Sequence, residues 1–182
     1  MVKNLRQATG AGVMDAKRAL DDANGDIEKA TLLLREQGLA AAEKRADRET
    51  SQGVIESYIH GGGRIGTLIE LSCETDFVAN TDEFRSLARD IAMQVAAMNP
   101  RVITKDERIN KPEIEGADEE IVLLEQPFIK DSSINVEELV KQVAGKIGEN
   151  IRVRRFTRYI LGEGIEVQGP DFAEEVASMT SG

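Results

Sequence analysis

The chain has 182 residues, 41% hydrophobic and 31% charged, enough to bury a core without disulfide staples or a structural metal. Its 33 Asp and Glu against 23 Lys and Arg leave a formal net charge of −10, which phosphate backbones repel, so nucleic acid is a poor direct partner. No apolar run approaches the ~20 residues of a membrane span and the N-terminus lacks a signal-type apolar stretch, so a soluble, cytoplasmic protein without membrane contact is expected.

The first fifty residues balance nine Lys and Arg against nine Asp and Glu, so the rest of the chain carries the whole deficit. Val2 and Leu5 fit a short first helix that must stop at Thr9-Gly10-Ala11-Gly12. Val13, Met14, Ala16, Ala19 and Leu20 recur at helical spacing, and Asn24-Gly25 closes that second helix. Asp26 can cap a third helix lined by Ile27, Ala30, Leu33 and Leu34 and ended by Gly38. Residues 39–50 favour helix but offer little apolar surface, which suits a helical linker. From Ser51 the texture is β-rich, with strands at 53–60 and 65–73 around Gly61-Gly62-Gly63 predicting a hairpin. Residues 81–98 place Phe84, Leu87, Ala88, Ile91, Ala92, Val95 and Met98 on one helical face, with Pro100 behind. Residues 104–126 are acidic and weakly patterned, and 136–149 form another helix. Residues 151–161 read as a strand with Ile151, Val153, Arg155, Thr157 and Tyr159 on one side and Phe156 among arginines on the other. Residues 171–179 can make a last short helix. The fold class is therefore α+β: three N-terminal helices, a helical linker, then a small antiparallel sheet packed with helices.

The residues that look like chemistry mostly fail their structural context. The spacing GxGxxG over Gly61–Gly66 is followed by a strand, not the helix whose N-terminus would meet a pyrophosphate. Gly145-Lys146 lacks the Ser or Thr and the first glycine of a phosphate loop. The lone Cys73 excludes an internal disulfide, and the lone His60 excludes a zinc site of Cys/His type, so no metal or cofactor is expected. A Cys73–His60 dyad across the hairpin has no third group to orient it, and Glu119-Glu120 and Glu174-Glu175 lack apolar surroundings to raise a pKa. Nothing assembles a catalytic constellation, so no enzyme is expected. Glu74-Thr75-Asp76-Phe77-Val78-Ala79 is different, because it sits where the hairpin ends and the long helix begins. Thr75 capping a turn with Phe77 and Val78 in the core is one possibility, and an aromatic presented outward is the other.

In order along the chain, Leu5-Arg6, Thr9-Gly10-Ala11-Gly12-Val13-Met14-Asp15-Ala16-Lys17 and Ala23-Asn24-Gly25-Asp26 are followed by Cys73-Glu74-Thr75-Asp76-Phe77-Val78-Ala79. Leu124-Glu125-Gln126-Pro127-Phe128 and Ile147-Gly148-Glu149-Asn150-Ile151 then precede Arg154-Arg155-Phe156. This series resembles the elongation factor Ts family. The resemblance implies a ubiquitin-associated-type three-helix domain over residues 1–38, a helical linker over 39–50 and an α+β core over 51–182. It implies a guanine-nucleotide exchange factor rather than an enzyme, whose partner is elongation factor Tu in its GDP-bound and nucleotide-free forms. Thr9, Gly10, Ala11, Gly12, Val13 and Met14 match the surface that docks on the partner's nucleotide domain. Thr75, Asp76, Phe77, Val78 and Ala79 match the motif set against its switch region, where Asp76 and Phe77 disturb the partner's magnesium site. No cofactor is implied for this chain itself.

Fuller members of that family carry a long helical hairpin and a second core half before the block at 124–128. Here residues 101–121 stand in that place, interrupted by Pro112 and Gly116, and against the family pattern the start at Val2-Lys3 is short, so a frayed or truncated first helix is expected. Single-core members pair with a second copy, so a homodimer and a two-to-two complex with elongation factor Tu are expected. The competing reading is a ubiquitin-associated-type adaptor joined to an unrelated α+β module, which would make the motif at 75–79 accidental.

Overall fold

The computed structural model describes residues 1–165. Helix α1 (Val2–Thr9) ends at Gly10, whose φ of +69° turns the chain back so that its N–H bonds the Arg6 carbonyl. Helices α2 (Val13–Asp22) and α3 (Ile27–Glu43) follow, the second capped by the Asp26 carboxylate accepting from Lys29 N–H. Leu5, Ala16, Ala19, Leu20, Ala23, Ala30 and Leu34 form their shared core, in which alanines let the helices approach closely. Leu5 is fully buried, so α1 is anchored rather than frayed.

The third helix does not end at Gly38. It continues to Glu43, because Gly38 lies against Gly145 on a later helix and that contact outweighs the ~1 kcal/mol that a mid-helix glycine costs. Nor is 39–50 a bare linker. Ala42 is buried in the main core, and the Ala46 and Arg48 carbonyls accept from the Asn150 amide at 3.0 and 2.7 Å.

Strands β1 (Gln52–His60) and β2 (Ile65–Cys73) pair antiparallel in register from Gln52 opposite Cys73 to His60 opposite Ile65. The tip uses Gly61, Gly62 and Gly63 at φ +60°, +67° and +92°, a backbone path closed to other residues without strain. A single turn, α4 (Asp76–Ala79), leads into α5 (Asp82–Met98), the helix predicted over 81–98. The weakly patterned stretch holds α6 (Lys105–Ile109) and α7 (Asp118–Ile121), folded on a small separate core of Val102, Ile121 and Val122. A short ribbon of β3 (Pro127–Phe128) and β4 (Asp131–Asn135), which sequence patterning missed, precedes α8 (Val136–Ile147) and β5 (Ile151–Ile160).

The main sheet has the order β1-β2-β5, antiparallel throughout. Its inner face packs Ile69, Leu71 and Cys73 on Phe84, Leu87, Ile91 and Val95 of α5 and on Val136 and Val140 of α8. The strict alternation expected along 151–161 does not hold. The pairing shifts between Glu70 and Leu71, which face Arg155 and Val153, so Arg154 is an extra residue in a bulge. The bulge turns Phe156 inward beside Val153 and Ile151, and leaves Arg152, Arg154 and Arg155 exposed. The predicted helix at 171–179 lies outside the described residues.

Candidate functional site

The residues singled out by sequence fall in two loops. The first, Thr9–Met14, joins α1 to α2. Thr9 Oγ1 donates to the Leu5 carbonyl at 2.7 Å and accepts from Ala11 N–H at 3.3 Å, and Arg6 Nε donates to the Ala11 carbonyl at 3.2 Å. Gly12 opens α2 without a side-chain cap, and Val13 and Met14 stand 52% and 67% exposed on its first turn. The loop therefore presents apolar surface on a light frame of local bonds.

The second loop, Glu74–Ala79, is held far more firmly. Thr75 caps α4, its Oγ1 accepting from Val78 N–H at 3.3 Å and donating to Glu149 Oε1 at 2.6 Å. Glu149 Oε2 accepts from the backbone N–H of Glu74 and of Thr75 at 3.1 and 3.0 Å. In return Glu74 Oε1 accepts from Asn150 N–H at 2.7 Å, while the other edge of Glu74 pairs with Arg48 at 3.3 Å. Hydrogen bonds to charged groups are worth roughly 1.5–3 kcal/mol each, so this reciprocal clamp fixes the turn against the end of α8.

On that clamped turn Phe77 is 78% exposed with Asp76 beside it, whereas Val78 and Ala79 are buried in the main core. Both open possibilities are thus partly true: Thr75 does cap a turn and Val78 is core, but the aromatic points outward. Val78 and Ala79, expected at the contact together with Thr75, Asp76 and Phe77, have their side chains buried beneath the turn, where they tie it to the main core.

The Cys73–His60 dyad fails on geometry. His60 and Cys73 lie at opposite ends of the β1–β2 ribbon, about eight residues or ~26 Å apart at ~3.3 Å per residue. His60 Nδ1 instead hydrogen-bonds Tyr58 Oη at 3.0 Å. Burial, reinforced by the Glu149 carboxylate, pushes the Cys73 thiol up to about 11, so it stays protonated near neutrality. Gly145 and Lys146 are occupied structurally, the glycine against Gly38 and the ammonium on Glu83.

Sequence reasoning quoted Glu74, Lys146, Glu149 and Asn150 within larger blocks but gave none of them a role in positioning the two loops. Glu149 directly follows Gly148, the left-handed cap of α8 at φ +88°, and its partners lie some 75 residues away. No periodicity announces such a pairing. Lys146 lies between the two loops, its stem against Gly10 and its ammonium on Glu83 in the first turn of α5. It borders a cleft of about 620 Å³ lined by Gly10–Gly12, α3 and α8.

Among the described residues no helix is long and apolar enough to cross a membrane. A family model described as elongation factor TS matches residues 41–115. The chain is 56% identical to "Elongation factor Ts" of Prochlorococcus marinus (strain NATL2A), over 100% of this chain and 97% of that protein. It is 52% identical to "Elongation factor Ts" of Synechococcus sp. (strain RCC307), with coverage of 100% and 97%. It is 53% identical to "Elongation factor Ts" of Carboxydothermus hydrogenoformans (strain ATCC BAA-161 / DSM 6008 / Z-2901), with coverage of 98% and 95%. The first of these matches runs over 211 residues against the 182 of this chain, so that relative holds internal residues without a counterpart here. With more than half of its residues identical across nearly the full length of such relatives, the chain belongs to the elongation factor Ts family.

Proposed function

We propose that this chain is a guanine-nucleotide exchange factor that binds GDP-bound elongation factor Tu and promotes GDP release, so that GTP can enter. The observation that carries the reading is Phe77, a large aromatic held 78% exposed on a turn braced from two sides. What sets this ring apart from other exposed apolar side chains is its base: the Glu149 carboxylate and the Thr75 cap hold the turn that displays it. Burying that ring in a partner is worth about 1.5–3 kcal/mol, enough to distort a neighbouring site if the ring fits only the distorted form. Asp76 beside it brings a negative charge that would compete with the partner's magnesium ligands.

Exchange of this kind is a coupling free energy. A factor that binds the nucleotide-free partner more tightly than the GDP-bound one must weaken GDP by the same ratio. Each ~1.4 kcal/mol of difference is a tenfold change in GDP affinity. No covalent or proton-transfer step is required, so the chain acts as a binding protein, with residues 1–38 as the docking unit, 39–50 as the connection and 51–182 as the core that carries the wedge. Thr9–Met14 supplies docking surface, chiefly through Val13 and Met14, and Thr75–Phe77 acts on the switch region. Fluorescent GDP release from elongation factor Tu, followed with and without the full chain, tests this. A rate unchanged at saturating chain would overturn it.

We also propose that the chain works as a homodimer with two partners. One face of the three-stranded sheet is covered by helices, while on the other Ile55, Ile59, Leu68 and Tyr159 are exposed. The strand register places all four on that outer face, with Glu70 and Arg155 paired at 2.6 Å beside them. An outer face that sets these apolar side chains beside Glu70 and its arginines Arg154 and Arg155 offers both apolar area and paired charge to a second copy across a two-fold axis. Light scattering at micromolar concentration should give twice the mass of one chain, and 19.9 kDa throughout would contradict the dimer.

A further inference from the structure

We infer that Gly38, Gly145 and Lys146 are positioning residues that seat the three-helix unit on the core in one set placement, so that Val13–Met14 and Phe77 meet a partner as two points of one rigid surface. The functional half of this inference rests on the exchange reading above.

The seat is a helix crossing between α3 and α8. A Cβ added to Gly145 would collide with the Gly38 carbonyl and Cα, so the two backbones touch where a side chain on Gly145 would hold them apart. Only Gly145 must lack a side chain for this approach, since a Cβ on Gly38 would meet Gly145 at an ordinary 3.9 Å; the glycine at 145 gives up roughly 1 kcal/mol of helix propensity to allow it. The crossing is pinned on both sides. With its amide oxygen turned towards α3, Gln142 accepts from Arg35 Nη2 at 2.8 Å and Nε at 3.1 Å, and Lys141 lies 3.8 Å from Glu43. Arg35, Gly38 and Ala42 recur three and four residues apart, so they share the face of α3 that meets the core.

Lys146 links the first loop to the start of α5. Its aliphatic stem fills the space beside Gly10, where any Cβ would collide with it, and its ammonium pairs with Glu83. Glu83 stands in the first turn of α5, immediately after the turn that presents Phe77. Each loop can thus engage a partner by itself, but their spacing is set by this chain of contacts. Two contacts on one rigid body act on each other through a high effective concentration, and loosening the connection lowers it without altering either contact.

The test uses the full chain with spin labels at Lys17→Cys and Arg89→Cys, both exposed positions on α2 and α5. Cys73 is fully buried and remains unlabelled. The parent should show one narrow label–label distance. Gly145→Ala, with a helical circular-dichroism spectrum retained, should broaden or shift it and lower the maximal stimulated GDP release about tenfold. Affinity for GDP-bound elongation factor Tu, set by the first loop, should change less than about threefold. Lys146→Met should move both readouts in the same direction and Lys146→Arg should restore them; this pair serves if Gly145→Ala fails to fold. A broad distance distribution in the parent overturns the inference, as does a narrow one that neither variant disturbs. A narrow distance lost in the variants, in a parent that never accelerates GDP release, upholds the placement and overturns the exchange reading instead.

Discussion

The two loops that bear the candidate contacts are built in opposite ways. Thr9–Met14 is framed by hydrogen bonds within one short stretch of chain, and its exposed Val13 and Met14 belong to the first turn of a helix without a side-chain cap. Glu74–Phe77 is capped, and it is bound through three hydrogen bonds to the Glu149 carboxylate, about 75 residues further along the chain. An adaptable apolar patch suits docking, which must tolerate the partner's starting shape. A wedge that deforms its target must be stiffer than the target, and only the second loop is built for that.

Four perturbations sharpen or break that contrast. The largest effect is expected for Phe77→Ala. Truncating an anchoring aromatic commonly costs ~2 kcal/mol or more, so stimulated GDP release should fall about thirtyfold or more, with docking weakened less. Asp76→Ala should act in the same direction. If both variants release GDP at the parent rate, the wedge is misassigned.

Next comes Glu149→Gln, which leaves Phe77 untouched but swaps one acceptor oxygen for an amide that faces the donors of residues 74 and 75. Loss of a charge-assisted contact of roughly 1.5–3 kcal/mol should lower the thermal midpoint and slow maximal release about tenfold. A lowered midpoint with full release would show that rigidity of the turn is dispensable.

Val13→Ala combined with Met14→Ala should do the converse. The dissociation constant should rise about fivefold to tenfold, as for partly exposed rim contacts, while the release rate at saturation stays at the parent value. A fall in the saturated rate would erase the distinction between docking loop and wedge.

The smallest effect concerns Cys73, beneath the second loop. Its thiol is held at about 11 against an ordinary 9.0, mainly by burial. The folded state favours the protonated form, so the contribution to stability is full below pH 9 and is lost as pH rises from 9 towards 11. Urea midpoints across that window should fall more steeply for the parent than for Cys73→Ala; parallel profiles would refute the assignment.

Element types were largely legible because they rest on local patterns. The apolar stripe from Phe84 to Val95, the glycine hairpin and the Asp26 cap each declare themselves within a few residues. What escaped depended on distant partners. Gly38 reads as a helix stop until Gly145 is brought against it, and Arg154 reads as one strand residue among others until the bulge shifts the parity of β5. In the site, Phe77 was legible as a candidate, but its exposure was not, because an aromatic next to a carboxylate suits burial and display alike. Glu149 settles the turn from about 75 residues away, beyond any sequence window.

The most direct measurement is the ratio of this chain's affinities for nucleotide-free and GDP-bound elongation factor Tu, obtained by titration with the parent and with Phe77→Ala. The parent should bind the nucleotide-free form about fivefold or more tightly, as coupling free energies of about 1–3 kcal/mol require, and Phe77→Ala should bring the ratio down towards one. Equal affinities for the two forms in the parent would contradict nucleotide exchange outright, and a ratio that Phe77→Ala leaves intact would contradict the wedge.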